Sequence, residues 1–219
     1  MDITQWTLMD WVNNSVYGFQ AIVALWGLYC AIVVWKRSGE TRFKTMDEQM
    51  SFLELLGQPV TKGDFKAATE MCEGDPRAVC QLAILSMANF KMGFAKAKQL
   101  ALDTFQREVL SDIEFRLTGV NMAIKTEPML GLLGTVMGMM QAFGKLAGQE
   151  GVKPEQLASD ISFALITTAV GLAVSIPYMF ILSKLNVRIR KMEENITMGL
   201  GRFFDLFKAG LDGLTRRAG

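Results

Sequence analysis

Four hydroxyls and one carboxylate sit where a purely structural segment would not need them. The stretch DISFALITTAVGLAVSIP, residues 160–177, opens on Asp160 and is otherwise apolar apart from Ser162, Thr167, Thr168 and Ser175. A second apolar stretch, PMLGLLGTVMGMMQAFGKLAG, carries Thr135 among the glycines Gly131, Gly134 and Gly138. Hydroxyl oxygens are hard, neutral ligands that can replace part of a cation's hydration shell, and a carboxylate at the edge attracts or carries charge. A buried core helix or a membrane span lining an ion path could each carry such groups, so ion handling is one chemistry suggested. Catalysis is not: the chain has no histidine, which removes the commonest general base and metal ligand. Cys30, Cys72 and Cys80 match neither a CxxC nor a metal-binding pattern, and Cys72 and Cys80 are expected to stay reduced. A net charge of +1 gives no reason to expect nucleic acid. No enzyme, resident metal or cofactor is expected.

The elements that must position these groups are legible in the charge distribution. Half of the 219 residues are hydrophobic, with a mean hydropathy of +0.23. Three windows contain no Asp, Glu, Lys or Arg: 11–35, 128–144 and 161–183. A helix needs roughly 20 residues to cross a ~30 Å hydrocarbon core. The middle window falls short of that, but its flanking charges, Glu127 and Lys145, can snorkel toward the headgroups. An all-α membrane protein with three transmembrane helices follows. Their expected bounds are 17–35, 124–146 and 161–183. The first window lacks the basic flank and cleavage site of a secretory signal.

Lys36, Arg37, Arg42 and Lys44 follow the first span, and Lys184, Arg188, Arg190 and Lys191 the third. Basic flanks belong in the cytoplasm. An outward-facing N-terminal segment (1–16, with Trp6 and Trp11 suited to the interface), an outward-facing loop (147–160) and a cytoplasmic C-terminal helix (184–219) are therefore expected.

Residues 36–123 are polar, with apolar positions at helical spacing, and read as a cytoplasmic helical domain. TKGDFKAAT and EGDPR read as breaks between its helices. From Arg77 the helical pattern finds no stop before Glu127-Pro128, and that proline kinks a continuous helix without ending it. The third span continues past the membrane, with Leu185, Ile189, Met192 and Ile196 on one face.

In the second span, Gly131, Gly134 and Gly138 share a face with Thr135 beside it, so two helix backbones can approach closely. Plain helix packing explains that pattern without conduction. In the third span, steps of four, four, three and four from Asp160 reach Ala164, Thr168, Gly171 and Ser175. Leu165, Ile166, Leu172, Ile176 and Met179 lie opposite. Polar groups facing hydrocarbon are costly, so the small and polar stripe should face protein or a wet cavity. The bland alternative is that each hydroxyl bonds a carbonyl of its own helix. Pro177 removes a backbone donor and should kink the helix locally.

TEPMLGLLGTVMGMMQAFGKLAG followed by ISFALITTAVGLAVSIP resembles the MotA/TolQ/ExbB family of ion-driven motor subunits, and within it the ExbB/TolQ branch. The resemblance is strongest over residues 105–195 and extends weakly through KGDFKAATEMC. It implies a homopentamer in the bacterial inner membrane around a dimer of an ExbD-, TolR- or MotB-like partner with one span and an intramembrane aspartate. A TonB- or TolA-like transducer would receive the work. The family's pore-lining threonines map to Thr135 and Thr168. Thr167 would tune selectivity, Ser175 would line the path and Asp160 the outer mouth, and Gly131, Gly134, Gly138, Gly171 and Pro177 would serve helix packing. One departure is informative: Phe163 stands where ExbB and TolQ carry a glutamate. Thr167-Thr168 resembles the TT of sodium-driven flagellar stators. Sodium is thus the favoured ion, resting transiently against Thr135 and Thr168, with the proton as the alternative. A non-conducting membrane scaffold that docks partners through its cytoplasmic helices is the competing function.

Overall fold

The computed structural model describes residues 8–148 and 154–218. The N-terminal segment as far as residue 7, Trp6 included, and the middle of the 147–160 loop lie outside the described residues. Among those described there is no strand. The helices are α1 (Leu8–Glu40), α2 (Met46–Lys62), α3 (Phe65–Cys72), α4 (Ala78–Ala88), α5 (Phe94–Thr104), α6 (Ser111–Gly148) and α7 (Pro154–Ala218). Three of them are long and apolar enough to cross a membrane, over stretches within Ser15–Glu40, Phe94–Ala147 and Leu157–Leu214. α6 runs unbroken through Pro128 and α7 through Pro177. Both helices reach into the expected loop, leaving 149–153 between them.

The two breaks read from the sequence are present, each at a glycine in the left-handed region. Gly63 (φ 81°) ends α2, and Asp64 caps α3 by accepting from the Ala67 N–H at 3.1 Å. Gly74 (φ 81°) lies in the turn before Asp75. The expectation of an uninterrupted helix from Arg77 to Pro128 is wrong. α4 stops at Ala88, a 3-10 turn covers Phe90–Met92, and Gly93 (φ 88°) redirects the chain into α5. The Asn89 side-chain amide donates to the Leu85 carbonyl at 2.9 Å, competing with continuation of the helix. A π-turn over Phe105–Leu110 then joins α5 to α6.

The chain divides into two compact units. One comprises α1 as far as Ile32 together with Arg116–Lys184. Its interior is rich in small side chains: Ala31, Ala123, Ala142 and Ala164 are buried, with Cys30 and Val120, alongside the larger Gln20, Glu127 and Tyr178. Its large apolar residues point outward, including Leu25, Trp26, Met129, Leu132, Leu165 and Phe180. That is the inverse of a water-soluble fold. Lipid supplies no hydrophobic drive between helices, so close backbone packing has to hold them.

The other unit comprises Val33–Phe115 and α7 from Leu185 onward. Its core is conventional, with Leu53, Leu56, Val60, Leu185, Met192, Ile196, Phe203 and Phe207 essentially without exposure. Phe203 and Phe207, one helical turn apart, stack at 5.6 Å, and Phe65 packs on Phe207 at 5.4 Å. Arg77 ties its loops together. It bonds both oxygens of Asp75 at 2.8 Å through Nε, reaches Glu48 at 2.9 Å, and lies 3.8 Å over the Phe43 ring. Burial pushes the Asp75 carboxyl up, but the hydrogen bonds from Arg77 outweigh it and hold the group below the ordinary carboxylate range. The Arg77–Asp75 stabilisation is therefore present above the unfolded pKa of about 4 and is lost as pH falls through the lower folded value. Asp75→Asn is expected to cost about 1.5–3 kcal/mol at neutral pH. The gap to wild type should narrow as denaturant titrations are repeated below about pH 4.

Candidate functional site

α6 and α7 run antiparallel within the first unit and meet along their glycines. A Cβ on Gly138 would sit 2.5 Å from the Ala164 Cβ, and one on Gly134 would strike the Thr167 side chain. One on Gly131 would lie 2.8 Å from the Thr168 Cα and 2.9 Å from the Thr167 carbonyl oxygen. From the other helix, a Cβ on Gly171 would meet the Glu127 carbonyl oxygen at 2.5 Å. Real Cβ contacts are not this short, so larger residues would force the backbones apart. Of the small and polar stripe of α7, Ala164, Gly171 and Ser175 are buried and Thr168 and Asp160 half-buried, with Thr167, off the expected stripe, buried beside them; Leu165, Ile166, Leu172, Ile176 and Met179 are exposed.

Close approach gathers three hydroxyls around one carbonyl. Thr168 Oγ1 donates to the Gly131 carbonyl at 2.8 Å. Thr167 Oγ1 lies 2.7 Å from the Ala164 carbonyl and 3.2 Å from that of Gly131. Thr135 Oγ1 is 3.1 Å from both carbonyls and is also hydrogen-bonded to Thr168 Oγ1. Thr135, Thr167 and Thr168 thus form one cluster of neutral oxygens in which each hydroxyl reaches a carbonyl of the facing helix, Thr135 and Thr167 also bonding a carbonyl of their own. A carbonyl offers two lone pairs, so three hydroxyls around Gly131 are more than it can satisfy at once. Such a set can exchange hydrogen bonds, or turn oxygens toward a passing cation, at low cost.

Ser175 does not join the cluster. Its hydroxyl donates to Leu172 of its own helix at 3.3 Å, the bland arrangement. Asp160 sits at the opposite end of the seam, paired with Lys145 at 2.7 Å. With Lys145 half exposed, the pair is worth at most about 1 kcal/mol. Asp160→Asn is accordingly expected to shift the thermal midpoint of the purified chain only slightly, so a large change in ion movement in that variant would reflect charge and not folding. Phe163 packs edge-on against Tyr17 of α1 at 5.2 Å.

Two polar residues in the unit escaped the sequence reading. Gln20 of α1 is buried and donates to the Thr167 carbonyl at 3.1 Å, tying α1 to the threonine pair. Its signal was an amide inside a 25-residue window without charge. Glu127, expected to snorkel toward the headgroups, is instead wholly buried. The proline after it does not end α6, so its side chain is held within the packed helix.

The stretch bearing this seam matches known proteins. Residues 89–198, half of the chain, fit the model of the MotA/TolQ/ExbB proton channel family. The chain belongs to that family. It is 34% identical over 115 residues to the Tol-Pal system protein TolQ of Haemophilus influenzae, covering 52% of this chain and 47% of that protein. It is 31% identical over 114 residues to the putative biopolymer transport protein ExbB-like 2 of Helicobacter pylori, covering 52% and 74%. A TolQ of Pseudomonas aeruginosa is 31% identical over 96 residues, covering 44% and 40%. The chain thus spans about half the length of the TolQ relatives it matches. These relatives place it on the ExbB/TolQ side of the MotA/TolQ/ExbB family, which is one of channel subunits rather than enzymes.

Proposed function

We infer that this chain is the ion-channelling subunit of an inner-membrane motor, coupling proton or sodium flow to mechanical work on the cell envelope. The observation that supports this best is the cluster of Thr135, Thr167 and Thr168 around the Gly131 carbonyl, in a seam otherwise lined by glycine and alanine. Five chains around two copies of an ExbD- or TolR-like partner form the working assembly. The partner's span brings the intramembrane aspartate, and a TonB- or TolA-like transducer takes the work. The N-terminus is periplasmic, and the polar helices between α1 and α6 are cytoplasmic, as is the C-terminal end of α7. One charge crossing about 100 mV releases about 2.3 kcal/mol, so a few ions suffice for a conformational step. The hydroxyl and carbonyl oxygens favour sodium on their chemistry, whereas the family's description favours the proton.

A non-conducting scaffold is favoured by one observation: each threonine hydroxyl already has a carbonyl partner within the chain. Co-reconstitution of the chain with its single-span partner separates the two. A motor gives ion uptake driven by an imposed gradient and abolished by neutralising the partner's intramembrane acid. A scaffold gives uptake no greater than that of empty liposomes.

A further inference from the structure

The seam between α6 and α7 does not end at the threonines. One turn beyond Gly131 toward the start of α6, Glu127 is 0% exposed, and neither carboxyl oxygen has a hydrogen-bond partner. Three helices enclose it. α7 contributes Gly171, whose missing side chain leaves room for the Glu127 backbone and for Gln20. α1 contributes Gln20, whose amide group donates to Thr167 while its carbonyl oxygen, also buried, has no partner. Tyr178 of α7 is also buried, and its hydroxyl is committed to the Ala24 carbonyl at 2.5 Å.

An ionised carboxylate placed there would lack a counter-charge and any donor, an arrangement costing several kcal/mol. The neutral acid fits, because it brings its own donor, and an orphaned acceptor, Gln20 Oε1, lies buried in the same three-helix packing. Acids inside a span are expensive to keep and mark ion paths when they occur. We propose that Glu127 is a proton-binding group of this chain's own, closing the α6–α7 polar seam at the end opposite Asp160. A proton from hydronium forms the carboxyl O–H and leaves water behind. When α1, α6 and α7 loosen and water enters, the O–H bond breaks and the proton returns to water. The ion carried is then the proton. This deepens the function proposed above and rests on it for its place in ion coupling, though not for the protonation itself.

The test has two arms. In the first, the purified full chain in lipid nanodiscs is titrated while its infrared spectrum is recorded, beside Glu127→Gln. A carboxylic C=O band that persists at neutral pH and is missing from E127Q supports the proposal. A spectrum in which E127Q removes only carboxylate bands at neutral pH overturns it. In the second, the whole complex in proteoliposomes is given a proton gradient without sodium. E127Q is expected to slow proton uptake by roughly tenfold or more, with the oligomer intact. Uptake by E127Q equal to wild type overturns the proposal. If the wild-type complex moves neither ion, the motor function fails, and the infrared arm alone decides Glu127. The near-isosteric glutamine keeps the packing, and even if that variant assembles poorly, a wild-type spectrum without a carboxylic C=O band at neutral pH overturns the proposal.

Discussion

Replacing Thr135 and Thr168 together by valine is expected to abolish ion-coupled work while leaving the assembly intact. The two hydroxyls touch each other across the seam, and both reach the Gly131 carbonyl. Valine preserves their volume and branching, so the close helix contact built by Gly131, Gly134 and Gly138 survives. What disappears is the oxygen surface. Thr167 remains near both carbonyls, at 3.2 and 2.7 Å, so neither is left wholly without a side-chain donor. The structural cost should accordingly be near the net worth of two hydrogen bonds, about 1–3 kcal/mol in all. A hydrophobic collar in place of the hydroxyls would block a hydrated or partly dehydrated cation, and would interrupt any water file carrying protons. Gradient-driven uptake and the oligomer's size, measured on the same preparation, check this. Normal uptake in the double variant defeats the assignment of these residues to the path.

The second large effect is steric. Gly131→Ala should destabilise the α6–α7 pair by about 1–3 kcal/mol, the usual cost of overpacking a well-packed interior. The atoms its Cβ would meet, Thr168 Cα and Thr167 O at 2.8 and 2.9 Å, are backbone and have no rotamer to escape into. The control lies on the same helix. A Cβ on Gly144 meets nothing within 4 Å, so Gly144→Ala should be neutral or stabilise by up to about 1 kcal/mol through helix propensity. Thermal unfolding of the two variants in detergent reads the contrast. Equal midpoints would mean that the seam is looser than described.

The spans were legible because charge is the strongest signal a membrane imposes: three windows free of it correspond to three long apolar helices. The inward stripe of α7 was legible in part because burial follows helical spacing: Ala164, Gly171 and Ser175 are buried as that spacing requires, but Thr167 is buried where Thr168 is only half-buried. The register between α6 and α7 was not, since it depends on which glycine accepts which threonine. Nothing in one helix alone states that Gly131 carries three hydroxyls. Glu127 was misread for a physical reason: at the border of a charge-free window, an acid that reaches water and an acid sealed by two other helices have the same local sequence. The stop at Asn89–Gly93 was hidden by apolar Phe90 and Met92, which continue the pattern while Gly93 breaks the backbone.

Ion movement through the α6–α7 seam is the central claim, and proteoliposomes holding the complete complex test it most directly. Uptake should be recorded under a proton gradient without sodium, and under a sodium gradient without a proton gradient, for wild type and for the Thr135→Val/Thr168→Val variant. Gradient-driven uptake of one ion by wild type, reduced to the level of empty liposomes in the variant, is the predicted result. Uptake of neither ion by wild type, or equal uptake by both proteins, would contradict it.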